Sequence, residues 1–153
     1  MDKYTTLNKL KEEFKIVREE PFPSLGISVG LSENNNYFKW IVTIFGPDDS
    51  IYSEGIFKMS IEFNEDYPLI KPLVKFSTKI YHCNVSDEGD VNIPSLNNWN
   101  PNISMSQVLS DIFSLFYVQN RDDKFNPKIS NELLDRNKFD AKAKEYVKKY
   151  ALI

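Results

Sequence analysis

The chain holds one cysteine, Cys83, and one histidine, His82, next to each other. A single cysteine excludes an intramolecular disulfide and any multi-cysteine zinc site. It fits a reducing compartment, so the cytosol, the nucleus or both is the expected location. A single histidine leaves little for a Ser-His-Asp triad. Glycine is scarce as well. Gly26 and Gly30 lack the G-x-G-x-x-G spacing, so nothing supports nucleotide binding. No run approaches the roughly 18 apolar residues that cross a bilayer, and the amino terminus is polar, so neither a membrane nor a secretory segment is expected. A basic excess is also missing. Lysine and arginine number 19 against 22 aspartate and glutamate, a formal net charge of -3, so nucleic acid is not an expected partner.

What is present is a core. Hydrophobic residues make up 41% of the chain, enough to argue against disorder and for one domain spanning 1–153. Leu7, Leu10, Phe14 and Val17 recur at helical spacing over residues 3–18, ending before Pro21 and Pro23. The period then becomes alternating: Leu25, Ile27, Val29 and Leu31; the aromatic and β-branched stretch from Tyr37 to Phe45; Phe57, Met59, Ile61 and Phe63; and a shorter run from Leu73. Short connections between consecutive strands imply an antiparallel meander. Residues 79–102 show no clean period, and segments of that length in compact domains are usually functional or disordered; with two prolines, a glycine, a tryptophan and several apolar residues, this one is expected to be ordered. Ser104 and Gln107 form a capping-box pattern ahead of the apolar face Met105, Val108, Leu109, Ile112 and Phe116. Two shorter helical patterns close the chain, one with Ile129, Leu133 and Leu134, the other with Phe139, Ala143, Tyr146, Val147 and Tyr150. The expected class is α+β: a helix, four antiparallel strands, a long loop, then helices.

A cysteine nucleophile needs an imidazole near enough to take its proton. In extended backbone, neighbours point to opposite faces, so adjacency makes His82 and Cys83 a poor pair. The plainer expectation is a histidine bonding local backbone and a cysteine filling space as a small hydrophobe. The acidic turn Ser86–Asp90 lacks the repeated ligand positions of a calcium loop and is expected to be solvated.

Taken in order, four pieces resemble the E2 ubiquitin-conjugating enzymes and their UBC fold: "EDYPLIKPLVKF", "TKIYHCN", "GDVNIP" and "NWNP". The first is similar to a Y-P-x-x-x-P turn, the second to T-K-I-Y-H-P-N, the third to G-x-V/I-C-L-x and the last to W-x-P. The resemblance covers almost the entire chain. It implies a protein that receives ubiquitin or a relative from an E1 as a thioester on a cysteine. The modifier then passes to a lysine or to an E3 ligase, with no metal and no small cofactor.

The resemblance places that cysteine eight residues after the asparagine of H-P-N. Eight residues beyond Asn84 stands Asn92, between Val91 and Ile93. A carboxamide has no thiolate state and cannot form the thioester. Asn84 itself falls at the family's oxyanion-stabilising position, His82 keeps its motif place as a structural residue, and Cys83 replaces the motif proline. Cys83 as a displaced nucleophile is one alternative. A lone engineered replacement at residue 92 is another, and it leaves the accompanying changes at Cys83, Lys71 and Ile93 without a reason. The resemblance also implies partner contacts: Leu69 and Asn100 toward RING or HECT ligases, Trp99 and Pro101 bracing that loop, and Lys9 toward E1 and E3. The resulting expectation is an inactive E2 variant that binds ubiquitin or a ubiquitin-like protein, an E3, an active E2 or an E1. An active E2 and a plain RWD-like interaction module are the alternatives.

Overall fold

The computed structural model describes residues 2–121 and 125–152. Helix α1 (Lys3–Val17) begins where the Asp2 carboxylate accepts from the Thr5 N–H at 2.9 Å, a side-chain N-cap. Its inward face carries Leu10, Phe14 and Val17, and with them Thr6 and Glu13. Four strands follow: β1 (Ile27–Leu31), β2 (Lys39–Phe45), β3 (Ile56–Glu62) and β4 (Leu73–Phe76). They pair antiparallel in chain order β1-β2-β3-β4. Registers such as Val42 opposite Met59 and Ile61 opposite Val74 align the apolar positions of neighbouring strands. One face, with Trp40, Val42, Ile44, Phe57, Met59 and Ile61 all at 0–1% exposure, lies in the core. Burying each such side chain stabilises the fold by about 1.5–3 kcal/mol.

Behind the sheet lies α3 (Met105–Leu115), whose Ser104 and Gln107 form both bonds of the capping box. Val108, Leu109 and Ile112 of α3 are fully buried. Helices α4 (Pro127–Glu132) and α5 (Arg136–Tyr150) close the chain, with Phe139, Ala143 and Val147 of α5 turned inward. This is the α+β UBC architecture, and no described helix is long and apolar enough to cross a membrane.

Three local expectations change. Leu25 does not begin β1: Pro23–Leu25 forms a 3₁₀ turn closed by Gly26 at φ +81°, a conformation glycine adopts readily, and the strand starts at Ile27. The stretch 79–102 is ordered as expected, but it is not one long loop. It contains a hairpin closed by the Val85–Val91 bridge and the short helix α2 (Pro94–Asn97), neither long enough to show a periodic signal. Leu134 lies beyond the end of α4 and is 68% exposed, so it is not part of that helix's apolar face.

Candidate functional site

Gly89 makes the hairpin possible. Its φ is +94°, and a β-carbon there would stand 2.3 Å from the Phe76 carbonyl oxygen, so any side chain is excluded. Its own carbonyl accepts from the Phe76 N–H at 2.9 Å, tying the turn to the sheet. The two arms are joined by Ser86 N–H donating to Asp90 O, and by Asn92 N–H donating to Asn84 O, both at 2.9 Å. Residues 84 and 92 therefore stand opposite one another across a β-ladder, which is the physical content of their eight-residue separation.

The two side chains open on a cleft of about 420 Å³, bordered also by Pro94 and Asn97 on the α2 side and by Ser114 and Asn120 on the α3 side. Asn92 is half-buried, and its Oδ1 accepts from Asn97 Nδ2 at the base of α2. Asn84 is 3% exposed, and its carboxamide is held by the backbone of residue 120. Its Oδ1 accepts from Asn120 N–H at 2.9 Å and its Nδ2 donates to Asn120 O at 3.2 Å. The carboxylate bordering the cleft, Asp111, accepts from the Ser95 N–H at 2.8 Å and so anchors α2 against α3. The side chain at position 92 offers an amide donor and acceptor and has no thiolate state.

His82 is fully buried and both ring nitrogens serve the main chain. Nε2–H donates to Leu115 O at 2.7 Å, and Nδ1 accepts from Asn84 N–H at 2.9 Å. That pairing fixes the neutral Nε2–H tautomer. Burial lowers the imidazole pKa to about 4, against a smaller opposing pull from backbone carbonyls. Nδ1 has no capacity left to take a thiol proton, so a direct His82–Cys83 dyad is not built. Cys83 is 0% exposed, with its Sγ 3.5 Å from both Asn84 Oδ1 and Asn120 O. It fills space beneath the hairpin rather than facing the cleft's mouth.

The residues expected to meet partners do not line this cleft. Leu69 is 61% exposed on the turn after Tyr67, with Ile70 and Leu73 also exposed nearby in the chain. Trp99 is half-buried, its Nε1–H donating to Pro68 O at 2.8 Å and its ring 5.8 Å from that of Tyr67. Asn100 is exposed, and its Oδ1 accepts from Asn102 N–H at 2.9 Å, closing the turn that contains exposed Pro101. Lys9 is half-buried on α1. Trp99 thus braces two loops against each other, while Leu69, Asn100 and Pro101 are left facing outward.

Sequence reasoning missed the residue that joins these loops to α1. Glu13 is 8% exposed. Its carboxylate accepts from the Met105 N–H at 3.0 Å and, in a very short contact, from the Tyr67 hydroxyl. Burial, and then the Glu13 carboxylate, raise the Tyr67 phenol pKa far above its ordinary value. Thr6 adds a hydroxyl 3.0 Å from the carbonyls of Glu65 and Tyr67. The signal was available: Thr6, Leu10, Glu13, Phe14 and Val17 share one helical face, and a carboxylate among apolar residues there needs a partner. Asn97 and Asn120 were also missed, since neither belongs to a pattern.

No group of three or more His, Cys, Asp or Glu side chains among the described residues could hold a metal ion. Residues 9–147 match the protein family described as "Ubiquitin-conjugating enzyme". Ubiquitin-conjugating enzyme E2 14 of Schizosaccharomyces pombe is 35% identical over 146 residues, which cover 94% of this chain and 92% of that protein.

Proposed function

Because the chain belongs to the ubiquitin-conjugating enzyme family, we propose that it acts in ubiquitin or ubiquitin-like conjugation as a member that does not itself carry the thioester. The family works with E1 proteins, E3 proteins and a ubiquitin-type modifier, and this chain retains the whole scaffold from α1 to α5 on which such partners would dock. As a single domain in the cytosol or nucleus, it would bind the modifier, an E3 or an active E2 as an adaptor. Leu69, Asn100 and Pro101, with Lys9 on α1, would supply its contact surface. The observation that supports the proposal is Asn92, a carboxamide opposite Asn84 at the position where the sequence resemblance puts the family's cysteine. The burial of Cys83 adds support, since a displaced nucleophile would have to reach a modifier from inside the core.

The test is a charging reaction with E1, ATP and ubiquitin, repeated with each ubiquitin-like modifier and read on a non-reducing gel. The expected result is no thiol-sensitive adduct with the natural chain and a new one with Asn92→Cys. A strong adduct on the natural chain that disappears in Cys83→Ala would overturn the proposal in favour of an active E2. Pull-downs that recover no ubiquitin, E2 or E3 would remove the adaptor role.

A further inference from the structure

Helix α5 contains six basic and two acidic residues, a formal +4, whereas the whole chain is -3. The rest of the protein therefore carries -7, that is, -3 less +4. Phe139, Ala143 and Val147 take up the buried side, leaving Lys138, Lys144, Lys148 and Lys149 exposed. Two cations of this helix have acidic partners: Arg136 pairs with Asp140 at 3.0 Å and Lys142 with Glu132 at 2.7 Å. Among the described residues, Lys138, Lys144, Lys148 and Lys149 form no ion pair.

A second element brings another cation to the end of this helix. Lys79, exposed between β4 and the hairpin, lies 5.1 Å from the ring centroid of Tyr150, and Lys149 lies 5.2 Å from the same ring. Two like charges thus converge on one aromatic side chain. The ring's quadrupole attracts each of them, and among the described residues no carboxylate forms an ion pair with either. Lys144 and Lys148, one turn apart, also repel. Helix-dipole attraction accounts for Lys148 and Lys149 in the last turn; it does not account for Lys144 or Lys79. Glu145 on the same helix, and Asp87 and Glu88 across the adjoining cleft, form no ion pair with these lysines.

We infer that the band of lysines running round α5 from Lys144 and Lys148 to Lys149, and on to Lys79, is a docking surface for an acidic polypeptide segment of a partner protein. Size and setting favour that occupant over other polyanions. The whole of α5 is only about 22 Å long, which suits a short segment. An extended nucleic acid or a membrane surface would also meet the repulsion of the chain's remaining -7. The exposed residues of α5 include no apolar side chain larger than Ala141, so there is no wedge for acyl chains.

The inference is independent of the chemistry at residue 92 and is tested without any conjugation assay. A fluorescein-labelled oligoglutamate peptide is titrated with the full chain and followed by anisotropy, with an oligoglutamine peptide as reference. The expected result is selective binding of the acidic peptide that weakens steeply between about 50 and about 200 mM salt. Replacing the four lysines by glutamine is expected to weaken it on the order of tenfold or more, and replacing them by arginine to retain it. Equal binding of both peptides, insensitivity to salt, or unchanged affinity in the glutamine variant would overturn the inference. Tighter binding of duplex DNA or of phosphatidylserine vesicles than of the acidic peptide would overturn the assignment of the partner.

Discussion

The main-chain N–H of Asn92 donates to the main-chain carbonyl of Asn84 at 2.9 Å, across a hairpin pinned to the sheet by Gly89. This bond sets which two side chains face the cleft, whatever those side chains are. Replacing Gly89 with alanine is the direct way to disturb it. The φ of +94° and the 2.3 Å approach to Phe76 O would both be violated. A loss of about 1–3 kcal/mol is expected in urea unfolding. The amide signals of residues 84–92 are expected to shift most.

Cys83 should behave as an inert side chain. With 0% exposure, its thiol is expected to resist iodoacetamide or a thiol-exchange reagent in native buffer, and to react fully once the chain is unfolded. Cys83→Ala would open a small cavity and lose on the order of 1 kcal/mol in stability. Rapid native modification would show a thiol open to solvent and revive the displaced nucleophile.

His82 makes stability depend on pH. Its folded pKa, about 4, lies below the ordinary value of 6.5, so between those two values the unfolded chain binds the proton that the folded chain refuses. Stability should therefore be highest above about pH 6.5 and fall as pH drops toward 4, by an amount on the order of 3 kcal/mol. Carboxylates join in below about pH 5, so the histidine contribution is cleanest between 5 and 6.5. Because His82 is the sole histidine, its imidazole proton resonances can be followed directly by NMR. A midpoint near 6.5 in the folded protein would contradict the buried neutral state. In His82→Gln the dependence between pH 5 and 6.5 should flatten.

Glu13 is expected to matter more than its place on a surface helix implies. Glu13→Ala would leave the Tyr67 hydroxyl and the Met105 N–H without their acceptor. A buried donor left unpaired costs about 1–3 kcal/mol, so the denaturant midpoint should fall clearly. Glu13→Gln, which keeps one acceptor oxygen, should lie in between. Tyr67→Phe on its own removes the donor as well and should be milder than Glu13→Ala.

The sheet and α3 were legible because their periods are long and clean. Phe57, Met59 and Ile61 alternate without interruption, and Ser104 with Gln107 announces the start of α3. The hairpin and α2 were not, because a bridge and one helical turn are shorter than any period. They are held by Gly89, by the Asp111 carboxylate on Ser95 N–H and by Lys71 Nζ donating to Leu96 O at 3.2 Å. The eight-residue spacing of Asn84 and Asn92 came from the motif, and in the structure it is the spacing of two residues paired across the hairpin. The roles of Asn120 and Asn97 depend on contacts 36 and 5 residues away in sequence, and no local pattern encodes them. His82 drew notice by being unique, yet both its bonds go to the main chain.

The Asn84–Asn92 ladder has an evolutionary consequence. The backbone carries the architecture of the site, and the Asn92 side chain bonds Asn97 at its rim. A lineage with this scaffold can change the side chain at residue 92 while the hairpin and the helices around it stay folded. Under the proposed function, reactivity and recognition are separable traits, exposed to selection one at a time.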